Sequence, residues 1–205
     1  MVLIDAHTTQ ACSLVAFGDS YGLVRDNIAR TSCATCSNNI ASYALYWVLS
    51  VVDYFFYSGD EPTVAAYGAN VDGRLRFAAS IANTSFDLHF FGSDDRVGAD
   101  FEYPSAPESQ RAYTMLAIQC MRAWLRVLQH CKSCDASNAT VYEQLAASLT
   151  ARARAPGPQW HAAYGLHAAA GAVLAGIVTD AEAAVLYARE FASPIQICSF
   201  SPFNM

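Results

Sequence analysis

The stretch Ala41-Ser-Tyr-Ala-Leu-Tyr-Trp-Val-Leu-Ser-Val-Val-Asp-Tyr-Phe-Phe-Tyr-Ser58, closed by Gly59-Asp60, decides the fold class. Nearly every residue in it is apolar or aromatic, with no alternation of polar and apolar positions. A membrane-spanning helix needs about 20 apolar residues with basic flanks. Here Ser50 and Asp53 interrupt the run and no basic residue flanks it. The segment therefore reads as a helix apolar on all sides, surrounded by protein in a large core.

The following segment contrasts with it. From Pro62 to Ala82 the apolar residues Leu75, Ala78, Ala79 and Ala82 alternate with Asp72, Arg74 and Arg76, which predicts an amphipathic helix. Pro62 suits a first-turn position, where its missing N–H is not needed. Gly68 and Gly73 weaken this helix, and a break is expected near Gly73. Upstream, Ser20 to Thr31 predicts a short helix with Leu23, Val24, Ile28 and Ala29 on one face. Thr31 to Asn39 reads as a loop.

Downstream, Ser105-Ala-Pro-Glu108, Thr140-Val-Tyr-Glu143 and Thr179-Asp-Ala-Glu182 each have the pattern of a capping box. They predict helices to about His130, Ala155 and Phe191. A further helix is expected from Gln159 to Val178, with Gly165, Ala169, Gly171 and Gly176 allowing close packing. Between Asn83 and Pro107 lies the longest irregular stretch, with a possible strand at Phe86–Phe91. Apolar helices thus precede amphipathic ones with a period of roughly 50 to 65 residues, the pattern of helical hairpins in two layers.

Composition limits function. The 205 residues are 54% hydrophobic and 15% charged, enough for a core and unlike a disordered chain. Twelve basic against 18 acidic residues give a net charge of -6. Arg152 and Arg154 form the densest basic stretch, too sparse to offset repulsion from nucleic-acid phosphates. The balance is compatible with a neutral substrate such as a sugar but does not select one. No signal-peptide pattern opens the chain, and the sequons Asn83-Thr-Ser85 and Asn138-Ala-Thr140 do not fix a compartment.

Four of the seven cysteines form two close pairs, Cys33/Cys36 and Cys131/Cys134. Such pairs can hold zinc, act as redox couples, or be loop cysteines. The long gap between them removes most of the zinc motif's specificity, and no strand-turn-helix context supports a redox role. No metal and no cofactor is expected. No nucleophile elbow, zincin helix or phosphate loop occurs.

The Ser42–Asp60 stretch resembles an element of six-hairpin glycosidases, closest to the bacterial α-L-rhamnosidase type. There a Tyr- and Trp-rich helix ends in a Tyr-Thr/Ser-Gly-Asp turn. Phe91-Gly-Ser-Asp-Asp-Arg-Val-Gly-Ala-Asp-Phe-Glu102, Trp160-His-Ala-Ala-Tyr164 and Ile195-Gln-Ile-Cys-Ser-Phe-Ser-Pro-Phe203 also look like parts of that domain. The resemblance runs from about Phe17 to the C-terminus.

It implies an all-α fold, an (α/α)6 barrel of twelve helices spanning about 300 residues or more. The sequence predicts about seven helices, hence helical hairpins of an incomplete barrel. It also implies inverting hydrolysis of a terminal sugar by a carboxylic acid and a carboxylate. The family's acid lies upstream of the matched helix, where Phe17-Gly18-Asp19 lacks the expected preceding pattern. Its base lies downstream of the match to Phe203. Both are therefore expected to lie outside this chain. Ser93 stands where relatives often carry tryptophan.

Glu102 is a minor catalytic candidate. Candidate sugar-binding residues are Tyr43, Trp47, Asp94, Asp95, Arg96, Trp160 and His161. Each has a plainer reading. Tyr43 and Trp47, with Tyr46, sit at helical spacing and suit a core. Asp94, Asp95 and Arg96 suit a surface turn. Trp160 and His161 follow a Pro-Gly-Pro break at a helix start, a rim position open to binding, but a lone histidine there is more often structural. The partner expected for the intact family is carbohydrate, with no nucleic acid and no membrane. The competing reading is a non-catalytic helical-repeat scaffold that binds proteins, with Tyr43 and Trp47 fully buried.

Overall fold

The computed structural model describes residues 3–18, 21–32, 41–84, 106–155 and 157–192. Regular structure among them is entirely helical. The helices are α1 Leu3–Ala16, α2 Tyr21–Arg30, α3 Ala41–Ser58, α4 Glu61–Ala66 and α5 Gly68–Thr84. They continue with α6 Ala106–His130, α7 Ala139–Arg154, α8 Leu166–Leu174 and α9 Asp180–Glu190. No described helix is long and apolar enough to cross a membrane. The chain forms two compact units, Met1–Ala78 with Cys120–Glu143, and Ala79–Gln119 with Gln144–Met205.

In the first unit α3 is the central element. Ser42, Tyr43, an unbroken run from Leu45 to Val52, Tyr54 and Phe55 are buried. Helices α1 and α2 pack on it. They contribute Gln10 and Leu14, and Val24 and Ile28. Leu23 is 74% exposed, because the face of α2 turned to the core is narrower than the apolar pattern suggests.

The Tyr-Ser-Gly-Asp turn ending α3 is held by its own side chains. Gly59 adopts φ 67°, which favours glycine. The Tyr54 hydroxyl donates to Asp60 Oδ2 at 2.7 Å. Asp60 then caps α4 by accepting from the Thr63 amide at 3.2 Å and the Thr63 hydroxyl at 2.6 Å. These bonds, led by the Thr63 hydroxyl, hold the Asp60 carboxyl below its usual range. Pro62 occupies the first turn, as its missing N–H allows.

Three expectations are corrected here. The break between α4 and α5 falls at Tyr67 and not near Gly73. The Tyr67 ring meets the Trp47 ring edge-on at 5.6 Å, and that packing sets the turn. Gly73 lies exposed within α5. Helix α1 has no counterpart in the sequence reading. Its Thr- and Cys-containing stretch has a weak intrinsic preference, and packing on α3 together with His7–Asp53 at 3.2 Å holds it.

The third correction concerns the second unit. The helix expected from Gln159 to Val178 is shortened to α8, preceded by a turn over Pro158–Ala163. The Arg189 guanidinium accounts for this. It donates to the carbonyls of His161 at 3.1 Å, Ala162 at 3.3 Å and Tyr164 at 2.7 Å, while the His161 carbonyl also closes the turn by accepting from the Tyr164 amide at 3.1 Å. Helix α8 stops at Gly176, φ 66°, where the Ile177 amide reaches back to the Ala172 carbonyl at 3.1 Å.

Helix α8 is buried from His167 to Ala172. A Cβ on Gly171 would lie 2.9 Å from Met115 Cβ, so α8 and α6 meet too closely for any other residue. Helix α7 buries one stripe, Ala146, Leu149 and Ala153, and α9 buries Leu186. The heavily buried helices α3, α6 and α8 are thus followed by less buried ones, with α5 and α7 buried along a stripe and α9 at Leu186 alone.

Candidate functional site

In the first unit, the candidates on α3 form a closed aromatic and cationic cluster. Tyr43 is 3% and Trp47 1% exposed, so neither ring presents a face to a ligand in solvent. The Trp47 indole N–H donates to the Ile28 carbonyl at 3.1 Å. The Arg74 guanidinium lies 3.8 Å over its ring. Arg74 also donates to the carbonyls of Thr31 at 3.4 Å and Ser32 at 3.1 Å. Burial lowers the Arg74 pKa to about 10, which still leaves it charged at neutral pH. Arg74, on the polar face of an amphipathic helix, gave no sequence signal for this role.

In the second unit, Trp160 and His161 are buried in the Pro158–Ala163 turn and not raised on a rim. The Trp160 indole N–H donates to Glu182 Oε1 at 2.8 Å. Arg154 grips the same carboxylate with two bonds, at 3.0 and 2.9 Å, and lies 5.0 Å from the Trp160 ring. Glu182 also completes the capping box at the start of α9 by accepting from the Thr179 amide at 2.8 Å. That amide bond, then the bonds from Trp160 and Arg154, lower the Glu182 carboxyl to about 2. Against Trp160 stand the rings of His161 and Tyr164, each at 5.3 Å and nearly perpendicular. His161 Nδ1 is buried and finds no partner among the described residues.

The carboxylates with the richest surroundings are thus already used. Asp60 and Glu182 cap helices. Asp72 accepts from Arg76 at 3.0 Å, from Asn138 at 3.1 Å and from the Tyr142 hydroxyl. Asp94, Asp95, Arg96 and Glu102 lie outside the described residues, as do Cys33, Cys36, the possible Phe86–Phe91 strand and the Ile195–Phe203 segment. So does Ser105, the first residue of the box before α6.

Cys131 and Cys134 are bonded to each other, so this pair offers no thiolate to zinc. Among the described residues no group of three or more His, Cys, Asp or Glu side chains could hold a metal ion. No known protein family, no curated protein and no solved structure matches this chain.

Proposed function

We propose that this chain is part of a six-hairpin glycosidase-like domain, resembling the α-L-rhamnosidase type. Its helices would form hairpins of an incomplete (α/α)6 barrel that supplies wall rather than catalytic centre. The observation that carries this reading is the α3 element. It is a helix buried on almost every side, closed by the Tyr54–Asp60 bond and passing directly into α4. A buried helix is followed by a stripe-buried one again at α6/α7, which supports hairpins of one kind. With Asp60, Asp72 and Glu182 engaged in the fold, the acid and base of such an enzyme lie elsewhere than on these residues.

The test is expression of the full reading frame that contains this sequence, followed by assay on aryl glycosides of terminal deoxy and neutral sugars. Hydrolysis with inversion, followed by NMR of the released anomer, supports the reading. A folded product that neither binds nor hydrolyses any of them overturns it. The 205-residue chain alone is expected to show no turnover.

One observation favours a second reading, a non-catalytic helical scaffold. Tyr43 and Trp47 are core, which leaves the described part of the aromatic wall without a sugar-facing ring. Retained binding of a protein partner, with no carbohydrate binding by the full reading frame, would select it.

A further inference from the structure

The loop between α6 and α7 carries a bond of a different kind from the rest of the fold. Cys131 closes α6, its amide donating to the Val127 carbonyl at 2.8 Å, and is 3% exposed. Cys134, bonded to it, is half-buried, and Lys132 and Ser133 form the exposed tip. At that tip the Ser133 amide and hydroxyl both donate to Glu61 Oε2, at 3.1 and 3.2 Å. Glu61 is the first residue of α4, directly after the Asp60 cap.

A bridge between residues three apart closes a very small ring. It removes fewer conformations from the unfolded chain than a long loop would, so its contribution to global stability is small. What it fixes is local. It sets the turn that brings two Ser133 donors onto one carboxylate oxygen.

We propose that the Cys131–Cys134 disulfide is a thiol-responsive latch, whose reduction releases the 131–134 turn from Glu61 and frees the start of α4. The co-reactant is a dithiol. Its thiolate attacks the less covered sulfur, Cys134 Sγ, forming a mixed disulfide and expelling the Cys131 thiolate. The second thiol of the reductant then attacks the reductant's own sulfur in that mixed disulfide. This releases the Cys134 thiolate and leaves the reductant as a disulfide. Two electrons and two protons pass to the protein, and the dithiol loses the same.

Two local features act on the Cys131 thiolate in opposite senses. The Ser133 hydroxyl, 3.7 Å from Cys131 Sγ, can turn from Glu61 to donate to it. The carbonyl end of α6 opposes negative charge at the same sulfur. Docking and oxidation favour each other, so weakening one weakens the other by the same factor.

The experiment uses the full chain equilibrated in dithiothreitol redox buffers. Alkylation of the peptide containing residues 131–134 counts its thiols, and hydrogen exchange follows the backbone. Reduction is expected to raise exchange about tenfold at 131–134 and at the start of α4, with α3 unchanged. The Cys131→Ser/Cys134→Ser double variant reproduces that pattern in oxidising buffer. Glu61→Ala, which keeps both cysteines, shifts the equilibrium toward the dithiol about threefold. A Glu61→Ala equilibrium within experimental error of wild type overturns the latch, as does unchanged loop exchange on reduction. Exchange rising throughout α3 as well also overturns it, since the bond would then be a staple of the whole fold.

Discussion

Glu182 draws together the end of α7, the Trp160 turn and the start of α9 through one carboxylate. Its folded pKa of about 2 lies below the ordinary 4.5. A depressed carboxyl contributes stability that is fully present above the unfolded pKa and is lost as pH falls through the folded one. Melting temperature should therefore drop between about pH 5 and pH 2, and Glu182→Gln should flatten that slope. At neutral pH the same substitution should cost about 1–3 kcal/mol by urea unfolding, because Arg154 keeps its charge and loses its counter-charge. A slope unchanged by the substitution would show that the carboxylate is not the group titrating. Trp47 presents the other kind of buried contact. Trp47→Ala should cost about 3–5 kcal/mol, through a cavity, the loss of the indole bond to the Ile28 carbonyl and an Arg74 stripped of its ring.

At the level of elements, two glycines within helices give opposite predictions for one substitution. Alanine is ordinarily preferred to glycine inside a helix by about 1 kcal/mol. Gly73 has open space around its missing side chain, so Gly73→Ala should stabilise by up to that amount. Gly171 has Met115 Cβ in the way, and that atom is fixed to the α6 backbone. Gly171→Ala should therefore destabilise by about 1–3 kcal/mol, the range for overpacking a core. Thermal melts of the two variants should move in opposite directions.

The legible elements were those whose signals are local. The apolar run marks α3, and Gly59 stops it. The Thr179–Glu182 box and Pro62 announce helix starts through bonds made within one turn. The elements that were misread depend on distant partners. Helix α1 needs α3 beneath it. The turn at Tyr67 needs Trp47, twenty residues earlier in the chain. The shortening of α8 needs Arg189, which lies in the following helix. The α7 start, read at Thr140, falls one residue earlier at Ala139, with Asn138 bound to Asp72 and Arg76 across the unit. The candidate site suffered in the same way. Spacing identified Trp47 and Trp160 as notable, but their burial is decided by Arg74 and Glu182, whose positions no local pattern reveals.

For the whole molecule, the chain passes from one unit to the other within α5, α6 and α7. Neither unit is a continuous stretch of sequence. In the first unit, Glu61, Asp72 and the Leu45 carbonyl take their partners from residues 120–143. A fragment of residues 1–78 should therefore show no cooperative thermal transition by circular dichroism. A sharp transition with the full helical signal would show that α1 to α5 suffice.

The engagement of Asn138 sets an order of events during biosynthesis. Its amide nitrogen donates to Asp72 and its oxygen accepts from Arg76, so the atom that would carry an N-linked glycan is occupied once the first unit closes. In a compartment that attaches glycans, transfer to this sequon and folding compete for the same nitrogen. A chain that folds first shields the nitrogen, and a chain modified first has one amide hydrogen left to offer Asp72.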